Sequence, residues 1–345
     1  MKRAGHLIEK IADPENLQLA YHKAQKGKAD KREVIEYGKR LQANLQNLQT
    51  QILAGEVETG NYRYFTIYDP KKRLICAAPF GQRVLHHALM NVCHRFFEKV
   101  QIFDSYASRI EKGTYAALEK AKRFNRQHKW FLKLDFRKYF DSLDHAVIKN
   151  QLRSLFKDSR LLNIFESIID SYHASSNKGV PIGNLTSQYF ANHYLASADH
   201  FVKEVLQIKA YVRYMDDSVL WHNSKEILMN AGLSLKQYSA AELQLILKPF
   251  CLNQNSHGLP FLGYLLYPDR TRLAQRSRAR FIKKLRLYAE NLISGVWTQK
   301  KYQEHVLPLI AFTQHADAGE FRKKIIAQGE GSADILSAVK MTALR

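Results

Sequence analysis

Two adjacent carboxylates, Asp216 and Asp217, sit between the apolar and aromatic runs Ala210-Tyr-Val-Arg-Tyr214 and Ser218-Val-Leu-Trp221. The pattern predicts a strand, a tight turn and a second strand, with the acids at the tip. Like charges side by side repel, so a fold keeps them together where something positive sits between them. A divalent ion bound to nucleotide phosphates meets that need. Mg²⁺ takes one or two protein carboxylates plus phosphate oxygens and leaves the rest of its shell to water. The competing reading is an ordinary Asp-Asp turn held by side-chain-to-backbone hydrogen bonds, and it must also explain a second acid upstream. Phe131-Leu-Lys-Leu-Asp135 is a short apolar strand ending in a carboxylate, which runs into the aromatic and basic stretch Phe136-Arg-Lys-Tyr-Phe140. Two-metal phosphoryl transfer needs acids from separate elements converging on ions about 3.5–4 Å apart. Asp135, Asp216 and Asp217 supply that set.

Between the two acidic elements lies Lys178-Gly-Val-Pro-Ile-Gly-Asn-Leu-Thr-Ser-Gln188, followed by Tyr189-Phe-Ala-Asn-His-Tyr-Leu195. In this order, with Tyr214-Met-Asp-Asp217 as the turn, the motifs resemble the palm of a reverse transcriptase. Upstream, Asp69-Pro-Lys-Lys-Arg73 through Ala88 and Asp104-Ser-Tyr-Ala-Ser-Arg109-Ile-Glu-Lys112-Gly-Thr114 resemble the fingers of the bacterial members. The resemblance implies an α+β right-hand polymerase with fingers, a palm built on an antiparallel sheet and a helical thumb. It further implies two Mg²⁺ ions, with Mn²⁺ as a substitute, held by Asp135, the Phe136 backbone, Asp216 and Asp217.

Other roles follow from the same resemblance. Arg73, Arg109 and Lys112 would hold the triphosphate, for which arginine's planar fork suits phosphate oxygens. Ile182, Gly183 and Gln188 would line the nucleotide site, the glycines letting backbone approach the template and the incoming base. Phe140, five residues after Asp135, would place a ring under the sugar and reject a ribose 2′-OH. Lys248, before Pro249, falls where a proton donor to pyrophosphate can stand, with an ordinary surface lysine as the competing reading. Gly258-Leu-Pro-Phe261-Leu262-Gly263-Tyr264 resembles the hairpin that grips the primer end.

Ile182 before Gly183, and Ser187-Gln188 closing the motif, resemble the reverse transcriptases of diversity-generating retroelements, which copy a template RNA with errors at adenines. Phe312-Thr-Gln-His-Ala-Asp317 fits the same branch. The implied partners are template RNA, primer or cDNA, dNTPs and a small basic accessory protein. Gly81-Gln82, Glu111 and Ser218 depart from the expected pattern without removing a metal ligand. A retron-like or phage-defence reverse transcriptase is the alternative. An RNA-binding scaffold without catalysis is the third reading, and the three intact acids weigh against it.

Charge agrees with a polyanionic partner: 53 Lys and Arg against 32 acids give a formal net charge of +21, a legitimate argument for nucleic acid. No apolar run is long enough to span a membrane. Cys76, Cys93 and Cys251 show no paired spacing, and Met1-Lys-Arg-Ala-Gly opens no signal peptide, so a reduced cytoplasmic compartment is expected. His86-His87 with Cys93-His94 matches no common zinc spacing and reads as helix packing.

The elements that must carry these residues can be placed in outline. Leu41, Leu45, Leu48 and Ile52 recur at helical spacing and stop before Gly55. From Arg270 the basic residues Arg272, Arg276, Arg278, Arg280, Lys283, Lys284 and Arg286 interleave with Leu273, Phe281, Ile282, Leu285 and Leu287, as in a basic helical thumb along a duplex. The expected division is an N-terminal helical extension over 1–60, fingers over 61–130, palm over 131–268, and thumb with tail over 269–345.

Overall fold

A computed structural model describes residues 3–68 and 72–327. Asp69, Pro70 and Lys71 of the finger motif, and the tail from Gly329-Glu-Gly-Ser332 onward, lie outside the described residues. The chain folds as α+β, in two compact units: Met1–Gly113, Lys133–Val219 and Asn230–Phe250 form one, and Thr114–Leu132, Leu220–Met229 and Cys251–Arg345 the other.

In the first unit the amphipathic helix Leu41–Ala54 buries Leu45, Leu48 and Ile52 and ends at Gly55 with φ 76°. A Cβ there would come within 2.9 Å of Arg160, so the left-handed cap and the close neighbour both call for glycine. Helix Pro14–Gln25 starts on an Asp13 cap that accepts from the Glu15 and Asn16 amides. It packs along Phe80–Lys99, whose Val84, Leu85, Ala88 and Leu89 are buried. His86 lies in that core, and burial pushes its pKa down to about 3, while Cys93 is buried beside it with its thiol pKa raised. Strands β1 (Arg63–Ile67) and β2 (Arg73–Ala77) pair antiparallel, Ile67 opposite Arg73.

The central sheet is ordered β4-β5-β3-β6, with β3 at Trp130–Leu134, β4 at Ala210–Tyr214, β5 at Asp217–His222 and β6 at Cys251–Gln254. Strands β3, β4 and β5 read as nearly continuous apolar runs because they are covered: Phe131, Leu132, Leu134, Val212, Val219, Leu220 and Trp221 are all enclosed, whereas β6 is partly exposed. Only two residues, Met215 and Asp216, join β4 to β5. The segment Asp104–Tyr106 lies along β4, with the Arg213 amide donating to the Asp104 carbonyl and the Tyr106 amide to the Arg213 carbonyl. The second finger motif thus extends the palm sheet.

The second unit holds helix Thr114–Gln127, the antiparallel sheet β7 (Leu259–Phe261), β8 (Tyr264–Leu266) and β9 (Thr271–Leu273), and helices Gln275–Ile293, Gln299–Gln314 and Gly319–Ala327. Phe281, Leu285, Tyr302, Val306, Ile310 and Ile326 form the core of the last three helices. Phe312-Thr-Gln-His-Ala-Asp317 has a structural account here. Tyr264 Oη donates to the Phe312 carbonyl at 2.6 Å, Asp317 Oδ2 accepts from the Thr271 amide at 2.8 Å, and His315 stacks on Tyr115 at 3.8 Å.

The compact units do not follow divisions at 130/131 and 268/269. Helix Thr114–Gln127 groups with the C-terminal third of the chain, and β9 pairs with β8 across the second boundary. The basic thumb helix begins at Gln275, so Arg270 precedes β9 and Arg272 lies within it. Strand pairing joins residues distant in sequence, which a linear reading of composition does not register.

The heaviest polar group in the first unit is Arg213 on β4, 1% exposed. Its Nε and Nη2 grip Asp199, itself fully buried, at 2.6–2.9 Å, and its Nη1 donates to Asn192 Oδ1 and the Met215 carbonyl. Removing one member of a buried pair leaves an uncompensated charge and costs roughly 3–5 kcal/mol. Arg213→Met and Asp199→Asn should each lower stability on that scale in urea unfolding, and Arg213→Met with Asp199→Leu should recover most of the loss. Single losses below about 1 kcal/mol would show that the pair holds nothing.

Candidate active site

Asp135 follows β3 directly, Asp216 occupies the β4–β5 turn and Asp217 opens β5. Adjacent strands therefore bring the three acids of the sequence motifs to one edge of the sheet. Met215 takes a φ of 56° in the turn, a conformation that costs a residue with a Cβ about 1–2 kcal/mol. The Arg213 guanidinium holds it there by its bond to the Met215 carbonyl at 3.0 Å.

The acids are not solvated turn residues. Burial pushes the Asp217 carboxyl up to about 6, with attraction from Lys133 opposing and repulsion from Asp216 and Asp135 adding to the rise. Asp216 is also raised, first by burial; its own backbone bond opposes, Asp135 adds, and Lys248 and Arg73 pull back. Asp217 Oδ2 receives Lys133 Nζ at 3.2 Å, while its Oδ1 is enclosed without a hydrogen-bond partner. An orphaned, desolvated carboxylate oxygen in a cluster of like charges is the donor chemistry a hard divalent cation takes, so these residues fit one. Among the described residues no three His, Cys, Asp or Glu side chains are grouped as a ready-made metal site. The acids are instead tied one by one to lysines: Lys248 Nζ lies 2.5 Å from Asp135 Oδ2, and Lys133 holds Asp217.

Lys248 is thus an ammonium on the Asp135 carboxylate, with its side chain 41% exposed. It is placed there by backbone pairing, since the Lys248 amide donates to the Asp135 carbonyl and the Arg137 amide to the Ile246 carbonyl. These bonds flank the bridge between Phe136 and Leu247, and the alternation of such a ladder turns the Phe136 carbonyl to the other side.

Arg73, exposed on β2, contributes positive potential at Asp216. β2 reaches the glycine motif through the Cys76 amide, which donates to the Ile182 carbonyl at 2.8 Å. Gly183 has φ 125°, and a Cβ on it would meet Ile75 Cγ2 at 3.0 Å and the Cys76 carbonyl at 3.2 Å. A backbone whose approach Gly183 permits is therefore β2 of this chain. Gln188 is exposed and accepts from Ser108 Oγ. Phe140 is half-buried, edge-on to Tyr139 at 5.7 Å.

Arg109 does not fit a triphosphate role. Its side chain is 7% exposed, bonded through Nε and Nη2 to Glu98 and through Nη1 to the carbonyls of Ile102 and Ser105. A guanidinium committed in this way pins the loop after Phe80–Lys99. Lys112 donates to the Phe103 carbonyl and lies 3.3 Å from that ring's centroid, again a contact within the fold.

In the second unit, Phe261 and Tyr264 pair across the two-residue turn Leu262-Gly263. Both turn residues have positive φ, 48° and 90°, as the tightest hairpins require. Phe261 is buried, and a Cβ on Gly263 would meet Ser277 Oγ at 2.9 Å, while one on Gly258 would meet the Tyr267 ring at 2.9 Å. The hairpin's side chains and glycines thus serve packing, and the Gly263 carbonyl accepts from the Ala274 amide and from Ser277 Oγ.

The sequence reading missed Lys133 and the Arg213–Asp199 pair. Each had a signal: a cation inside an otherwise apolar strand has to be paired.

An α+β fold with acids at adjoining strand ends is the architecture of the right-hand polymerase fold. The chain belongs to the reverse transcriptase (RNA-dependent DNA polymerase) family, which matches residues 68–266. It is similar to the group II intron-encoded protein LtrA of Lactococcus lactis subsp. cremoris, 25% identical over 146 residues, covering 40% of this chain and 24% of that protein. It is also similar to protein YkfC of Escherichia coli (strain K12), 24% identical over 207 residues, 53% of this chain and 52% of that one. The chain thus spans about a quarter to a half of the length of these relatives. Telomerase from Candida albicans, solved in complex with a fragment of telomeric RNA, shares the fold with a TM-score of 0.52 at 12% identity, over 81% of this chain and 55% of that one. No described helix is long and apolar enough to cross a membrane.

The raised Asp217 carboxyl has a sign that can be tested. Between its unfolded value near 3.8 and its folded value of about 6 the folded state binds the extra proton, so stability falls as pH rises through that window. By pH 7 the deficit is at most about 3 kcal/mol. Asp217→Asn should therefore raise the melting temperature of metal-free protein by a few degrees at pH 7 and by much less at pH 4. A gain that does not shrink on acidification would remove this account.

Proposed function

We propose that this chain is an RNA-directed DNA polymerase that copies a template RNA into cDNA from dNTPs. The observation that carries the reading is the pair of desolvated acids Asp216 and Asp217, with Asp135 close enough to raise both, Asp217 Oδ1 unpartnered, and Arg73 and Lys248 adding positive charge beside them. Asp135, the Phe136 carbonyl, Asp216 and Asp217 would hold two divalent ions, Mg²⁺ or Mn²⁺. When bound, these ions activate the attacking 3′-hydroxyl and neutralise the leaving pyrophosphate.

The remaining roles belong to this chain's side chains. Arg73, on an exposed strand edge, draws in the triphosphate. Lys248 keeps a proton beside Asp135, where it can pass to the pyrophosphate oxygen. The Phe140 ring lies under the sugar and discriminates by bulk. Ile182, Gly183 and Gln188 border the nucleotide, positioned through β2 and Ser108. The Leu262-Gly263 turn presents backbone to the primer, and the basic helix Gln275–Ile293 follows the duplex phosphates.

Within the family, the combination of Ile182-Gly183 with Ser187-Gln188 supports the diversity-generating branch: cDNA error-prone at template adenines, made for mutagenic retrohoming with a small basic accessory protein in the cytoplasm. The second reading is a retron-like or phage-defence reverse transcriptase, which would copy without that bias.

Primer extension on a defined RNA template with Mg²⁺ and dNTPs, followed by sequencing of the cDNA, tests both levels. Wild type should extend, Asp216→Asn with Asp217→Asn should lose at least about 10³-fold in rate, on the scale of removing a principal charge-stabilising group, and errors should concentrate opposite adenines. Faithful cDNA would move the assignment to the second reading; RNA binding without extension would leave a scaffold. In the same assay Phe140→Ala should admit ribonucleotides, and an unchanged sugar preference would remove Phe140 from the site.

A further inference from the structure

We infer that Lys133 is a resident counter-cation of the acid cluster, one that makes the nucleotide-free site a poor ligand for a divalent ion; this rests on the metal-dependent reading above. β3 runs Trp130-Phe-Leu-Lys-Leu134, and Phe131, Leu132 and Leu134 are at most 1% exposed. Lys133 interrupts this run two residues before Asp135, and the period of a strand puts the two on one side. Its ammonium lies 3.2 Å from Asp217 Oδ2, both side chains being more than two-thirds buried.

Two features separate Lys133 from Lys248. Lys248 sits outside the named strands, and its side chain is 41% exposed against 23% for Lys133. The Lys133 backbone is fixed within a strand of the central sheet, so the root of its side chain stays beside the acids when a ligand arrives. The second feature is what it leaves open. By occupying Oδ2 it turns Asp217 so that Oδ1 is the enclosed oxygen without a partner.

The consequence is a matter of charge. Three carboxylates face Lys133, Lys248 and, further out, Arg73, so their formal charges are matched before any ion arrives. Mg²⁺ gives up its water reluctantly and needs strong anionic oxygens in return. A triphosphate supplies the missing negative charge, so metal and nucleotide enter together and idle metal loading is suppressed. The lysine thus sets the order of binding while pointing one carboxylate oxygen at the ion.

The experiment is a titration of Mn²⁺ onto the full chain without nucleotide, read by electron paramagnetic resonance of the free ion, with thermal unfolding as the folding control. Lys133→Met conserves the stem and removes the charge, and should bind Mn²⁺ about tenfold more tightly than wild type; Lys133→Arg should match wild type. Should Lys133→Met not fold, Lys133→Gln replaces it with the same expectation. Equal or weaker Mn²⁺ binding in the neutral variant, or no binding in any variant, overturns the inference. Primer extension by wild type is scored separately: its absence, with the neutral variant still binding tighter, would strike the polymerase reading and leave the counter-cation standing.

Discussion

The fully enclosed Arg213 is the point on which the candidate active site hangs. A guanidinium carries five N–H groups in a fixed planar fork, and here the fork reaches Asp199, Asn192, the Met215 carbonyl and, through Nη2, Ser105 Oγ and Gln101 Oε1. Four pieces of chain are thereby fixed to one strand: the helix of the Tyr189-Phe-Ala-Asn192 motif, the helix Ala196–His200, the segment along the edge of β4, and the turn bearing the acids. A lysine could not do this, since its point charge has no planar geometry to impose. The strained φ of Met215 persists because these surroundings over-determine it.

What Arg213 secures is a cluster that is unfavourable on its own. Asp216 and Asp217 are both held with raised carboxyl pKa values, and in both the first cause is the loss of water. A fold selected only for stability would place such acids at the surface or replace them. Keeping them desolvated raises the strength of every charge interaction they make, which is useful only if a cation or a developing charge is to meet them. The lysines moderate that penalty in the resting chain, and their placement divides the labour: Lys133 is fixed by a strand, whereas Lys248 sits outside the named strands and is more exposed.

The acids and their strands were legible because each was a local pattern: apolar alternation, a two-residue turn, a carboxylate at the end. The Leu41–Ala54 helix with its Gly55 stop was legible for the same reason, and the hairpin within Gly258–Tyr264 through resemblance. What could not be read was anything decided by a distant partner. Arg109 carried the right chemistry for phosphate, but Glu98 on the preceding helix takes its fork. Gly183 had the right spacing for a ligand contact, yet the close neighbour is β2, about a hundred residues earlier in the chain. The interleaved units escaped for the same cause, since helix Thr114–Gln127 is placed by tertiary contacts that leave no trace in its own composition.

A cation inside an apolar strand deserves to be weighed differently from one on a helix face. On a helix it has a solvated side to turn to, and its presence says little. In a strand covered on both faces it has none, so its partner has to be an acid within reach of the sheet. Applied to β3 and β4, that reasoning says that Lys133 and Arg213 each need an acid, and the structure shows which: Asp217 and Asp199. In the proposed reaction the three acids hold the metal, and every chain that performs it needs them. The residues that neutralise those acids while no substrate is bound are under no such constraint, and there one polymerase can differ from another in when it admits its metal.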